Sequence, residues 1–130
     1  MVGAAGPAAA PARRGEVGNE VPDWPNIIEE IASLGRSQLH AVQSLLVQAL
    51  FHDLKCEAWP VAQEVPHWRA EARGFRRDDR RIYPHSMRQK IDMADLYADA
   101  LDRMPETHDS MQPLPVPATC PVTLGELLGE

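Results

Sequence analysis

One apolar stripe constrains this chain more than any other feature. Stepping about 100° per residue from Ile28, the side chains of Ile31, Leu39, Val42, Leu46, Ala49 and Leu50 all fall within about 60° of the start. Glu30, Ser33, Ser37, Ser44, Gln48 and Lys55 line the opposite face. The phase does not reset across Leu34-Gly35-Arg36-Ser37, where a glycine would otherwise suggest a helix end. A stripe that keeps its phase through a glycine predicts one helix over about residues 25–57, rather than two helices with Gly35 as a C-cap. Gly35 lies about 20° from the stripe centre, which predicts that it faces the core. Glycine in mid-helix costs about 1 kcal/mol relative to alanine. The compensation expected is a second helix crossing where no Cβ stands in the way.

Flanking signals agree with this spine. Asp23 is placed to cap the helix, and Pro25 suits its first turn. Trp59-Pro60 stops it, because proline disfavours helical geometry in the preceding residue. A second helix is predicted from His67 to Ile82, with Trp68, Ala72, Phe75 and Ile82 on a narrow apolar face. After Pro84, Ser86 and Gln89 read as a capping box for a third helix carrying Met87, Ile91, Ala94, Ala98 and Leu101. Four prolines between Pro113 and Pro121 predict an extended segment, and Thr123-x-x-Glu126 opens a short terminal helix with Leu124, Leu127 and Leu128. No stretch alternates with period two. The expected fold is all-α: a small helical bundle on one long central helix, with Ile28, Ile31, Leu39, Val42, Leu46, Leu50, Trp68, Phe75, Ile91, Leu101 and Leu124 in its core.

Residues 1–22 are rich in Ala, Gly and Pro and carry no apolar period, so they are expected to form a disordered tail ahead of a single domain over 23–130. No apolar run approaches the roughly 20 residues that span a bilayer, and the N-terminus lacks a secretory h-region. A cytoplasmic protein without membrane attachment is the expectation. Cys56 and Cys120 are too few for a disulfide framework, and no metal-ligand spacing appears among the histidines. No cofactor is expected.

The net charge of −6 is unevenly spread. From His67 to Tyr83, arginines 69, 73, 76, 77, 80 and 81 outweigh Glu71, Asp78 and Asp79 to give +3, leaving −9 for the remainder. Arg73, Arg76, Arg77 and Arg80 lie on adjoining rows that could meet phosphates, which keeps nucleic acid as an alternative partner. The interspersed acids and the acidic whole favour ordinary surface ion pairs.

Asp-Trp-Pro-Asn-Ile-Ile-Glu-Glu-Ile (23–31), followed by Ser-Leu-Gly-Arg-Ser (33–37), resembles the opening of a bacterial family known as domain of unknown function family 29. His52-Asp53-Leu54-Lys55, Trp68-Arg69, Tyr97-Ala98 and Cys120-Pro121 with Thr123-Leu124 are similar to later motifs of that family, in the same order. The resemblance implies an all-α fold and no established activity. Gly35, from its place on the stripe, and Cys120, as a reduced and buried thiol, are read as structural residues. Two departures stand out: family members usually carry a further helix ahead of the Asp-Trp segment, and Cys56 stands where an aromatic residue is common. Without that helix, one side of the long helix is expected to need a protein partner, a second copy of the chain, or a corrected start site that restores the helix.

Candidate chemistry is sparse. His52 and Lys55, three apart on one helix, could form a polar site with Trp68 and Arg69. The competing reading is structural, with Trp68 packed beneath His52 and Arg69 paired with Asp53. No nucleophile elbow or glycine-rich phosphate loop is present. His40 and His52 project about 120° apart and cannot act as a ligand pair. The expectation is a non-enzymatic interaction module, with an enzyme built on the His52 cluster as the further alternative.

Overall fold

The computed structural model describes residues 21–129, so the predicted tail falls, apart from Val21 and Pro22, outside the described residues. Four α-helices follow in order: α1 (Trp24–Ala58), α2 (Val65–Ile82), α3 (Met93–Asp102) and α4 (Leu124–Leu128). A six-residue 3-10 helix, His85–Lys90, precedes α3. The one β feature among the described residues is an isolated bridge between His108 and Met111. Two compact units meet in sequence between Leu34 and Gly35.

The long helix is continuous, as the unbroken stripe predicts, with Gly35 inside its span. Its start follows from local chemistry: Asp23 Oδ1 accepts the backbone N–H of Asn26 at 3.3 Å, as an N-cap does. Within the first unit, however, the stripe is not covered. Trp24, Ile28 and Ile31 on the stripe, and Leu34 beside it, are 59, 62, 63 and 72% exposed, which removes Ile28 and Ile31 from the predicted core.

The second unit holds the core. Val42, Leu46, Val47, Leu50 and Leu54 of α1 pack with Met87, with Leu96, Tyr97 and Ala100 of α3, and with Leu124, Leu127 and Leu128 of α4. Ala58, Trp59, Ala62, Val65 and Trp68 form a second cluster where α1 turns into α2. Leu39, Ile91 and Leu101 pack at the margin of the main cluster, and Phe75 is half-buried. Gly35 is exposed, and a Cβ built there would meet nothing within 4 Å. Among the described residues, no helix crosses at Gly35 as predicted. The mismatch has a plain cause: a stripe fixes which face of a helix is apolar, and says nothing of whether another element reaches it.

Two further corrections concern caps and charges. The third helix does not begin at Ser86, because Asp92 is the stronger stop-and-start signal. Its Oδ1 accepts from Ala94 N at 3.0 Å and Asp95 N at 3.3 Å, which resets the helix and turns Leu96, Tyr97 and Ala100 inward while Ala94 and Ala98 face outward. Asp79, expected among surface charges, is fully buried. It lies seven residues after Ala72 and four after Phe75, in the middle of the apolar face of α2. The terminal capping box is present as predicted, with Thr123 Oγ1 accepting from Glu126 N at 3.1 Å and Glu126 Oε1 from Thr123 N at 2.9 Å. Gly129, at φ 76°, closes α4 in the left-handed region that glycine adopts without strain.

Candidate functional site

The last turns of α1 face the first turns of α2, and the predicted polar residues lie there in a row of ring contacts. Lys55 Nζ stands 4.6 Å from the Phe51 ring centroid and 4.8 Å from that of Trp68. This is cation–π geometry, and it places the ammonium on two apolar surfaces. Burial pushes the Lys55 pKa down, the direction expected when the charged form loses water. His52 Nδ1 lies 2.8 Å from the Gln48 carbonyl one turn back. A carbonyl only accepts, so this nitrogen carries the hydrogen and donates. The imidazole meets Phe51 edge-on at 5.3 Å and leans on Phe75 at 5.4 Å.

The structure thus brings Lys55 and Trp68 into contact, with Phe51 touching both Lys55 and His52, and sets Arg69 beside the Cys56 thiol. Burial raises the Cys56 thiol pKa, with Arg69 acting in the opposite direction, and the thiol points toward the Val65 carbonyl at 3.9 Å. A thiol held in its neutral form is a poor nucleophile. Asp53 pairs with Arg76 at 2.9 Å, not with Arg69. Burial raises the Asp53 pKa, and Arg76 partly offsets the rise. Of the arginines considered for phosphate contact, Arg76 is held by Asp53, and Arg80 donates to the Leu128 carbonyl at 3.3 Å. Cys120 packs against the main core and donates to the Val122 carbonyl at 3.3 Å, a structural placement. Tyr97 donates its hydroxyl to the Pro117 carbonyl at 2.6 Å, pinning the proline-rich segment over the helices.

Also against Trp68 lies a group that sequence reasoning missed. His108 packs against two indoles, edge-on to Trp68 at 4.9 Å and tilted to Trp59 at 5.7 Å by ring centroid. Its Nε2 lies 2.9 Å from Glu64 Oε1 and 3.5 Å from Asp109 Oδ2. The hydrogen bond from His108 lowers the Glu64 pKa. The chain is brought back here by a tight turn. His108 and Met111 exchange both backbone hydrogen bonds, at 3.1 and 2.9 Å, and Asp109 and Ser110 take up φ of 49° and 64°. Two successive positive φ values define a type I′ turn, which Gly and Asn enter more readily than Ser. Trp59 Nε1 fastens the turn by donating to the Met111 carbonyl at 3.0 Å. Glu64 and His108 stand 44 residues apart, so no local spacing announces their meeting.

In α2 a different anomaly stands apart from these contacts. Neither oxygen of Asp79 has a hydrogen-bond partner, and burial pushes its pKa up to about 7.

Taken together, the fold and these side chains define a small all-α protein whose polar groups are held against aromatic rings. The chain belongs to the family described as Domain of unknown function DUF29, whose pattern matches residues 18–130. It is similar in fold to the crystal structure of an alpha-helical protein of unknown function from Rhodospirillum rubrum, at 22% identity and a TM-score of 0.69, over 90% of this chain and 75% of that one. No curated protein matches the chain. No helix among the described residues is long and apolar enough to cross a membrane.

Proposed function

We propose that this protein is a non-enzymatic, cytoplasmic interaction module that docks through the N-terminal part of α1, and that its occupant is a second copy of the same chain. The observation that carries this reading is the exposed apolar row of Trp24, Ile28, Ile31 and Leu34. Together these side chains present on the order of 450 Å² of apolar surface, comparable to the largest patch on a typical monomer, and such patches are often functional. Two copies joined symmetrically through this row would bury on the order of 900 Å², near the lower limit for a specific interface. A dimer of that size is weak and reversible.

The alternatives have less support. Lys55, Trp68 and His52 make ring contacts, and Arg69 turns toward Cys56, an arrangement that offers no nucleophile paired with a base. The acidic net charge and the internal engagement of Arg76 and Arg80 weigh against nucleic acid.

Sedimentation velocity over a range from low to high micromolar concentration tests the proposal. The wild type should shift reversibly from monomer to dimer, and the double variant Ile28→Glu/Ile31→Glu should stay monomeric with unchanged helicity. A wild type that is monodisperse and monomeric throughout, or a double variant that associates as the wild type does, would overturn it.

A further inference from the structure

We propose that Glu64, His108 and Asp109 bind one divalent transition-metal ion, of which Zn²⁺ is the natural probe. The donor set is an imidazole nitrogen with a carboxylate on either side, and the three ligand atoms lie within 4.8 Å of one another. An ion bonded to nitrogen and oxygen at about 2.1 Å holds neighbouring tetrahedral ligands roughly 3.4 Å apart. The Nε2–Asp109 oxygen separation of 3.5 Å already matches that edge. The Nε2–Glu64 separation of 2.9 Å requires an opening of about 0.5 Å, which the rotatable Glu64 side chain supplies. The two carboxylates balance the charge of the ion. Asp109 is exposed, so the remaining coordination positions face solvent.

The surroundings hold this arrangement in place. The imidazole touches both Trp59 and Trp68, and its own turn is tied to Trp59. Asp109 owes its position beside His108 to a left-handed backbone that a non-glycine residue adopts only at some cost. Without an ion, the Nε2 hydrogen points at the carboxylates. When the ion binds, that hydrogen gives way, and the neutral ring carries its hydrogen on Nδ1 while Nε2 donates its lone pair to the metal. The set contains no thiolate, which favours ions of intermediate hardness over Cu⁺. Because Glu64 immediately precedes α2 and His108 lies 44 residues later, the ion would clamp the late turn to the start of α2.

The test is calorimetric titration of the chelator-treated full chain with zinc chloride. One saturable equivalent is expected, and Glu64→Gln and Asp109→Asn, which keep side-chain size, should each weaken it by tenfold or more with helicity unchanged. His67→Gln should leave affinity as it is, since the exposed His67–Glu71 pair at 3.8 Å is the competing surface site. A second readout comes from Co²⁺, which should quench indole emission through Trp59 and Trp68 in the wild type and fail to do so in Glu64→Gln. Absence of saturable binding, binding that survives both carboxamide variants, or binding lost on changing His67 would overturn the proposal.

Discussion

Trp24–Leu34 and Val42–Ala58 are two stretches of one helix with the same apolar repeat and opposite surroundings. In the later stretch, Val42, Leu46 and Ala49 are wholly withdrawn from water. In the earlier one, Trp24, Ile28, Ile31 and Leu34 stand in solvent. Periodicity is a property of the helix, while burial is a property of what packs on it. The proposed docking through Trp24, Ile28, Ile31 and Leu34 rests on that contrast.

The comparison can be broken most forcefully by truncating the same residue class in each half. Leu46→Ala should cost about 2–5 kcal/mol, because it removes side-chain volume from a site with no access to water. Leu34→Ala should change the stability of the monomer by no more than about 0.5 kcal/mol. Urea denaturation at a concentration too low for association measures both. Equal costs would mean that the early half is buried after all.

The packed side also carries a liability that the open side lacks. Asp79 has its pKa raised to about 7 in the folded chain against 3.8 for the free group. Between those values the unfolded chain ionises its carboxyl while the folded chain retains the proton. Stability should therefore fall as pH rises from about 4 to 7, by at most about 4 kcal/mol from this residue, and then level off. Asp79→Asn should flatten that part of the profile in denaturation measured across pH. A profile identical to the wild type would show that Asp79 is not the titrating group.

The smallest effect belongs to the boundary between the two stretches. Gly35→Ala should stabilise the chain by up to about 1 kcal/mol, since a Cβ there meets nothing and alanine is the better helix former. Thermal melting would register the gain, and a loss would indicate an unseen neighbour at that position.

Much of this molecule was legible in its residues, and the parts that were not share a cause. The continuity of α1 and the Thr123–Glu126 capping box depend on neighbours within a few positions, and both appear as read. The third helix starts after Asp92 rather than at Ser86: two polar caps compete, Asp92 accepts from both Ala94 N and Asp95 N, and the start it sets turns Leu96 and Tyr97 into the core. Asp79 could have been found, since its spacing from Ala72 and Phe75 sets it on the apolar face, but its charge argued for the surface. In the predicted site, Lys55 and Trp68 do meet, as helix-face reasoning allows. The partners of His108 come from across the chain, and no periodicity encodes them.

Hydrogen exchange along α1, followed at low and high protein concentration, tests the central claim most directly. Amides of Val42–Ala58 should be protected to the same degree at both, because their cover is internal. Amides of Trp24–Leu34 should exchange quickly in dilute protein and slow markedly when the protein is concentrated, as a second copy covers the open face. Exchange over Trp24–Leu34 that is independent of concentration, whether fast or slow, would contradict the account.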